Sequence, residues 1–137
     1  MNIKTINYMY SIARVITGLT LVVHGAHNVF NFSNYIQRVE MYFGKLDYFD
    51  NAFLLYTSPL VPFEEFTLGL FITIGFFTRK ALWIAMGLYT FLILFMLDAE
   101  AYNLITFHVV LISIFLILDF SNKYDRYTII KQFTLPA

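Results

Sequence analysis

Long apolar runs broken by short polar punctuation dominate this chain. Four of them can cross a bilayer, which needs about 20 apolar residues: Tyr8 to Phe30, Pro59 to Thr78, Lys80 to Leu97 and Ala101 to Phe120. All four are expected as helices, because an isolated strand leaves its backbone unsatisfied in lipid. The third has only about 18 residues, near the lower limit, and is expected to run close to the membrane normal. Thr78-Arg79-Lys80 reads as a tight basic turn and Asp98-Ala99-Glu100 as a tight acidic one. Turns this short make neighbouring helices antiparallel. The pattern therefore predicts an all-α membrane fold, an up-down-up-down four-transmembrane-helix bundle.

The first link, Asn31 to Ser58, is longer and differently patterned. Ser33 or Asn34 can cap a helix, Ile36, Val39 and Phe43 fall on one face, and Gly44 can end it. Phe32, Tyr35, Tyr42, Phe43, Tyr48, Phe49, Phe53 and Tyr56 make the link aromatic, and such residues settle at the headgroup level. It is expected to form one or two short interfacial helices over one end of the bundle, placed to act as a lid. Ser58-Pro59 reads as an N-cap followed by a first-turn proline.

Basic residues set the orientation. Lys4, Arg14, Arg79, Lys80, Lys123, Arg126 and Lys131 fall on one side of four crossings, against Arg38 and Lys45 on the other. Seven against two places both termini in the cytoplasm. The start, Met1 to Asn7, lacks the features of a secretory signal, so the first segment is expected to be retained. The tail from Ser121 to Ala137 is expected along the inner membrane surface. One domain over residues 1–137 accounts for the chain, with no internal repeat.

Composition sharpens this picture. The chain is 59% hydrophobic, 20% aromatic and 13% charged, against about 25% charged in soluble domains. A chain this small cannot hide that much apolar surface from water. Net charge is zero, which leaves no basic face for nucleic acid. The absence of cysteine excludes disulfides, thiolate-held iron–sulfur clusters and c-type haem attachment.

Against this background the ionisable groups within apolar runs stand out, each costing about 2.5–3.5 kcal/mol on insertion scales. They are Arg14, His24, His27, Glu64, Glu65, His108 and Asp119. At 1.5 Å per residue, His24, Glu65 and His108 each lie about 9–10 Å inside the outer end of their helix. Three helices thus offer an ionisable side chain at one depth. Arg14, Gly18, Leu21, Gly25 and Asn28 share a stripe on the first helix, with Thr17 and His24 at its edge. Glu65, Gly69, Ile72, Phe76 and Arg79 share one on the second, and His108, Ile112, Phe115 and Asp119 one on the fourth. Gly18, Gly25, Gly69, Gly75 and Gly87 are read as close helix crossings. His27 and Glu64 fall near the rim. Arg14 is expected to pair with Asp119 at the inner end.

Four readings of the His24, Glu65 and His108 cluster stay open: a structural hydrogen-bond network, a site for the head of a quinone-like molecule, a metal site, and bis-histidine haem. In the quinone reading Glu65 and His108 are the candidate catalytic proton partners. His24, Glu65, His108 and Arg14 are then the substrate-binding residues, with His24 as hydrogen-bond donor. The alternative is a non-catalytic accessory subunit of a larger membrane complex or homo-oligomer. A small transporter ranks behind both, since four short helices leave little room for alternating access.

The runs Arg14-Val-Ile-Thr-Gly18 and His24-Gly25, then Glu65-Phe-Thr-Leu-Gly69 through Gly75-Phe-Phe-Thr78-Arg79, resemble the first two helices of the DoxX family. His108 also stands at a familiar place, and the resemblance covers roughly residues 12–120. It implies a small multi-pass protein of the bacterial inner membrane with a four-helix bundle. It also implies an association with quinone-dependent redox systems such as thiosulfate:quinone oxidoreductase. Where the family often has lysine after the His-Gly pair, this chain has Asn28, which removes an anion contact. The related vitamin K epoxide reductases use cysteines, so their chemistry does not carry over.

Overall fold

A computed structural model describes residues 2–125. The expected inner-surface segment lies mostly outside the described residues, as do Arg126 and Lys131 of the charge count. Helix α1 (Ile3–Phe30) starts earlier than the apolar run because the Asn2 side chain caps it, accepting from the Lys4 N–H at 3.2 Å. Its 28 residues span about 42 Å. Then follow α2 (Phe32–Phe43), α3 (Asn51–Thr57), α4 (Val61–Ile74), α5 (Thr78–Asp98) and α6 (Tyr102–Phe120), with 3-10 turns at Ser58–Leu60 and Asn122–Tyr124. Among the described residues there is no strand.

Helices α1, α5 and α6 are long and apolar enough to cross a membrane. The second expected crossing is different. Helix α4 has 14 residues, about 21 Å, and Ser58 does not cap it. Instead α3 runs through the 3-10 turn into α4, with Thr57, Ser58, Leu60 and Val61 all right-handed. Helix α5 has 21 residues rather than about 18, so a short third helix gives no reason for it to stand upright.

The polar triplet Thr78–Lys80 is not the turn it reads as; it is the first turn of α5. Gly75 ends α4 in the left-handed conformation, at φ 76°. The Phe76 N–H bonds the Phe71 carbonyl at 2.9 Å, the Gly75 N–H bonds Ile72 at 3.3 Å, and the Phe71 and Phe76 rings meet at 5.3 Å. This is a Schellman stop with its hydrophobic contact. Glu100 plays the same part after α5 at φ 55°, with the Ala101 N–H on the Met96 carbonyl at 2.8 Å. At the start of α2 the cap position is Asn31, not Ser33 or Asn34, while Gly44 does end the helix.

Helix α1 packs along α4, and α5 packs on α6 and against α4. A Cβ placed on Gly18 would strike Gly69 and Thr73, and one on Gly25 would strike Pro62 and Phe66. The rising and falling numbers make α1 and α4 antiparallel, with backbones almost touching. Gly75 and Gly87 are not crossings: one is the helix stop just described, and a Cβ on the other meets nothing within 4 Å. The main core gathers Leu21, Ile72, Leu82, Ala85, Tyr89 and Phe115. A second cluster, Leu54, Phe95, Ala99 and Ala101, takes in Tyr42, Phe43 and Phe49 of the first link. The Asp98 carboxylate fastens that link by accepting the N–H groups of Asp47, Tyr48 and Phe49 at 3.0–3.2 Å.

Candidate functional site

The buried stripe of α1 is Arg14, Thr17, Gly18, Leu21, Gly25 and Asn28, preceded by Asn7 and Tyr10. It presses on the stripe of α4 that carries Glu65, Gly69 and Ile72. The close approach at Gly25 brings the neighbouring His24 to Glu65. Its Nδ1 lies 2.9 Å from Glu65 Oε2. The Tyr89 hydroxyl of α5 donates to Glu65 Oε1 at 2.8 Å. Both carboxylate oxygens are therefore held, as a carboxylate with 2% exposure requires. The His24 side chain is 44% exposed.

His108 reaches the same region from α6 without bonding Glu65. Its Nδ1 is 2.8 Å from the Leu104 carbonyl one turn back, and its ring lies 5.3 Å from that of Tyr89. Tyr89 thus stands between the carboxylate and the second imidazole. Phe107 packs on both histidines, at 6.1 Å from His24 and 5.6 Å from His108.

His24, Glu65 and His108 border one cleft of about 440 Å³, with α2 lying across it. Arg38 of α2 donates from Nη2 to Asn28 Oδ1 at 2.9 Å, and the Tyr35 hydroxyl donates to the Ser58 carbonyl at 3.0 Å. Burial pushes the Tyr35 phenol well above its ordinary range, so it remains a donor. These two bonds tie α2 to α1 and to the approach to α4. The cleft therefore has an acidic inner wall and a cation at its α2 side. His27 and Glu64 are exposed and take no part in it.

Sequence reasoning missed Tyr89, Arg38 and Asn28 as polar parts of this site. A tyrosine in a membrane helix reads as aromatic filling, and Arg38 entered only a charge count. One signal was available: Tyr89 stands at three- and four-residue spacing from Ala85, Met86 and Leu92, a helical stripe that the structure buries, and a buried phenol needs a hydrogen-bond partner.

Arg14 is not part of the cleft; it sits at the Gly75 end of α4. It is 3% exposed and donates from Nη1 to the Ile72 and Thr73 carbonyls. Its carboxylate partner is Asp125, with Nε to Oδ1 at 3.4 Å. The expected partner, Asp119, instead takes Arg79 at 3.1 Å. The reason is local: Arg79 opens α5 directly beside the end of α6, whereas Arg14 faces the last carbonyls of α4, where a cation meets the negative end of the helix dipole. Among the described residues no three His, Asp or Glu side chains are grouped to hold a metal ion.

Apolar helices of this length around a buried carboxylate with both oxygens hydrogen-bonded mark an integral membrane protein. The DoxX family model matches residues 9–101, more than half of the chain, and the chain belongs to the DoxX family. The match takes in His24, Glu65, Tyr89 and all of the first link, and leaves α6 with His108 beyond it. No curated protein and no solved structure gives a significant match.

Proposed function

We propose that this chain binds the polar head of a lipophilic, quinone-type redox molecule in the cleft under α2. In this reading α1, the α3–α4 segment, α5 and α6 are four crossings of a bacterial inner membrane. Both termini face the cytoplasm and α2 and α3 lie in the outer interface. The head group enters from the outer leaflet. His24 and His108 are its hydrogen-bond partners, Glu65 backs His24 as a proton partner, and a separate protein of a membrane complex exchanges the electrons. Arg14 acts as a structural anchor and not as a substrate contact.

The observation that carries this reading is the buried Glu65 between His24 and Tyr89, on the wall of a cleft large enough for one substituted ring. His24 borders the same cleft, with its side chain 44% exposed. The test is equilibrium dialysis of the detergent-purified chain against a short-tailed benzoquinone presented in both oxidation states. His24→Phe should keep the elution volume and lower the affinity about tenfold, the worth of one buried hydrogen bond. Unchanged affinity, or no binding by the native chain, favours the accessory-subunit reading instead.

A further inference from the structure

Glu64 lies in an apolar run, and the fold gives its side chain no partner. Its neighbour Glu65 turns inward to His24 and Tyr89. Glu64 is exposed and borders a groove between α4 and α5 instead. Among the described residues its carboxylate forms no ion pair and no hydrogen bond, and the Thr67 hydroxyl forms no hydrogen bond either. Thr67 borders the same groove, one turn or about 4.5 Å further from α3. Apart from Thr57, the other side chains along the groove are apolar. A carboxylate on a lipid-facing surface of this kind is costly unless a cation meets it. Among the described residues no cation borders the groove, so the cation has to come from outside the chain.

The dimensions of the groove say what can bring it. Its volume is about 770 Å³. Its α4 wall runs from Val61 to Phe71, about 15 Å of helix, and one leaflet of a hydrocarbon core about 30 Å thick has that depth. Volume over length gives a cross-section of about 50 Å², or about 8 Å across, against about 10–12 Å for a helix with its side chains. A flexible chain fits within it and a partner helix does not. Gly87 keeps the groove open, since a Cβ there meets nothing within 4 Å. We propose that the groove holds a phospholipid with a primary ammonium head, drawn from the leaflet on the α3 side. The ammonium donates to the Glu64 carboxylate, the Thr67 hydroxyl donates to an ester carbonyl below the head, and an acyl chain follows the groove past Gly87. A quaternary ammonium has no N–H to give, and an anionic head meets Glu64 with like charge. The site is separate from the cleft under α2 and stands whether or not that cleft takes a ligand.

The experiment titrates the full chain in detergent with three phospholipids of identical acyl chains, bearing ethanolamine, choline or glycerol heads, and counts bound lipid by native mass spectrometry. The ethanolamine lipid should bind at least about tenfold more tightly than the choline lipid, the worth of a hydrogen bond to a charged group, with the glycerol lipid weakest. Glu64→Gln should keep the elution volume and narrow the ethanolamine preference to less than about threefold. Gly87→Leu, which puts a side chain into the groove, should weaken all three lipids and keep their order. Equal binding of the ethanolamine and choline lipids by the native chain overturns the proposal, as does a preference that survives Glu64→Gln. A dimer peak that Glu64→Gln abolishes, with no lipid preference, assigns the groove to a second copy of the chain and overturns it as well.

Discussion

Replacing Gly25 with alanine should force α1 away from α4 and carry His24 with it. The new Cβ would lie 2.5 Å from the Phe66 nitrogen, 2.8 Å from the Pro62 oxygen and 2.9 Å from the Phe66 Cα. All three are backbone atoms, so no side chain can swing aside. Ordinary contact begins at 3.4 Å, and the helices must separate by about 0.9 Å to reach it. A gap of that size forfeits about a quarter to a half of each neighbouring dispersion contact. Overpacking of this kind costs about 3 kcal/mol at its upper end, and the better helix propensity of alanine returns about 1, leaving a net loss of about 2 kcal/mol. Gly87→Ala is the control, because a Cβ there meets nothing within 4 Å. It should gain about 1 kcal/mol from propensity alone. Thermal unfolding in one detergent, followed by the loss of the monodisperse elution peak, reads both. The expected result is Tm shifts of opposite sign, with the Gly25 variant also weakened in ligand binding as the His24–Glu65 bond stretches. Shifts of the same sign in both variants would refute the packing argument.

Three other outcomes follow from the same geometry. Arg14→Met takes the guanidinium from Asp125 and from the Ile72 and Thr73 carbonyls, and should destabilise by about 3 kcal/mol, as expected for halving a buried pair; adding Asp125→Leu should recover part of that loss, and a double-mutant cycle measures it. Asp98→Ala should leave the fold intact but free the Asp47, Tyr48 and Phe49 N–H groups, seen as faster hydrogen exchange confined to that stretch. Glu100→Gly relieves a left-handed non-glycine residue and should be neutral or stabilising by up to about 1 kcal/mol, by the same thermal assay.

The depth coincidence of His24, Glu65 and His108 was readable from sequence because the rise of a helix is fixed and apolar runs locate its ends. Their separate bonding was not. Whether His108 meets Glu65 or the carbonyl of its own preceding turn depends on a rotamer, and the interposed Tyr89 comes from a helix that carries no charge at that depth. Element ends failed where polarity and backbone geometry disagree. Thr78–Lys80 is polar enough to look like a turn, yet the chain turns at Gly75 because a left-handed residue there closes two hydrogen bonds. Gly18, Gly25 and Gly87 look alike on a helix diagram; only the shortness and placement of α4 decide that the first two meet a backbone and the third meets open space. Arg14 has carboxylates at residues 119 and 125 within reach by depth, and Arg79 takes the first of them.

The Arg14 contacts also impose an order on biogenesis. This guanidinium is made among the first residues, but two of its acceptors belong to residues 72 and 73 and its carboxylate to residue 125. At about 5–20 residues per second the ribosome needs roughly ten seconds to deliver the last of them. Until then the charge must be accommodated by water or lipid phosphate at the membrane edge, and α1 is inserted before it is locked. Nascent chains arrested short of Asp125 should therefore be integrated but not sealed, and more open to quality-control proteases than those a few codons longer.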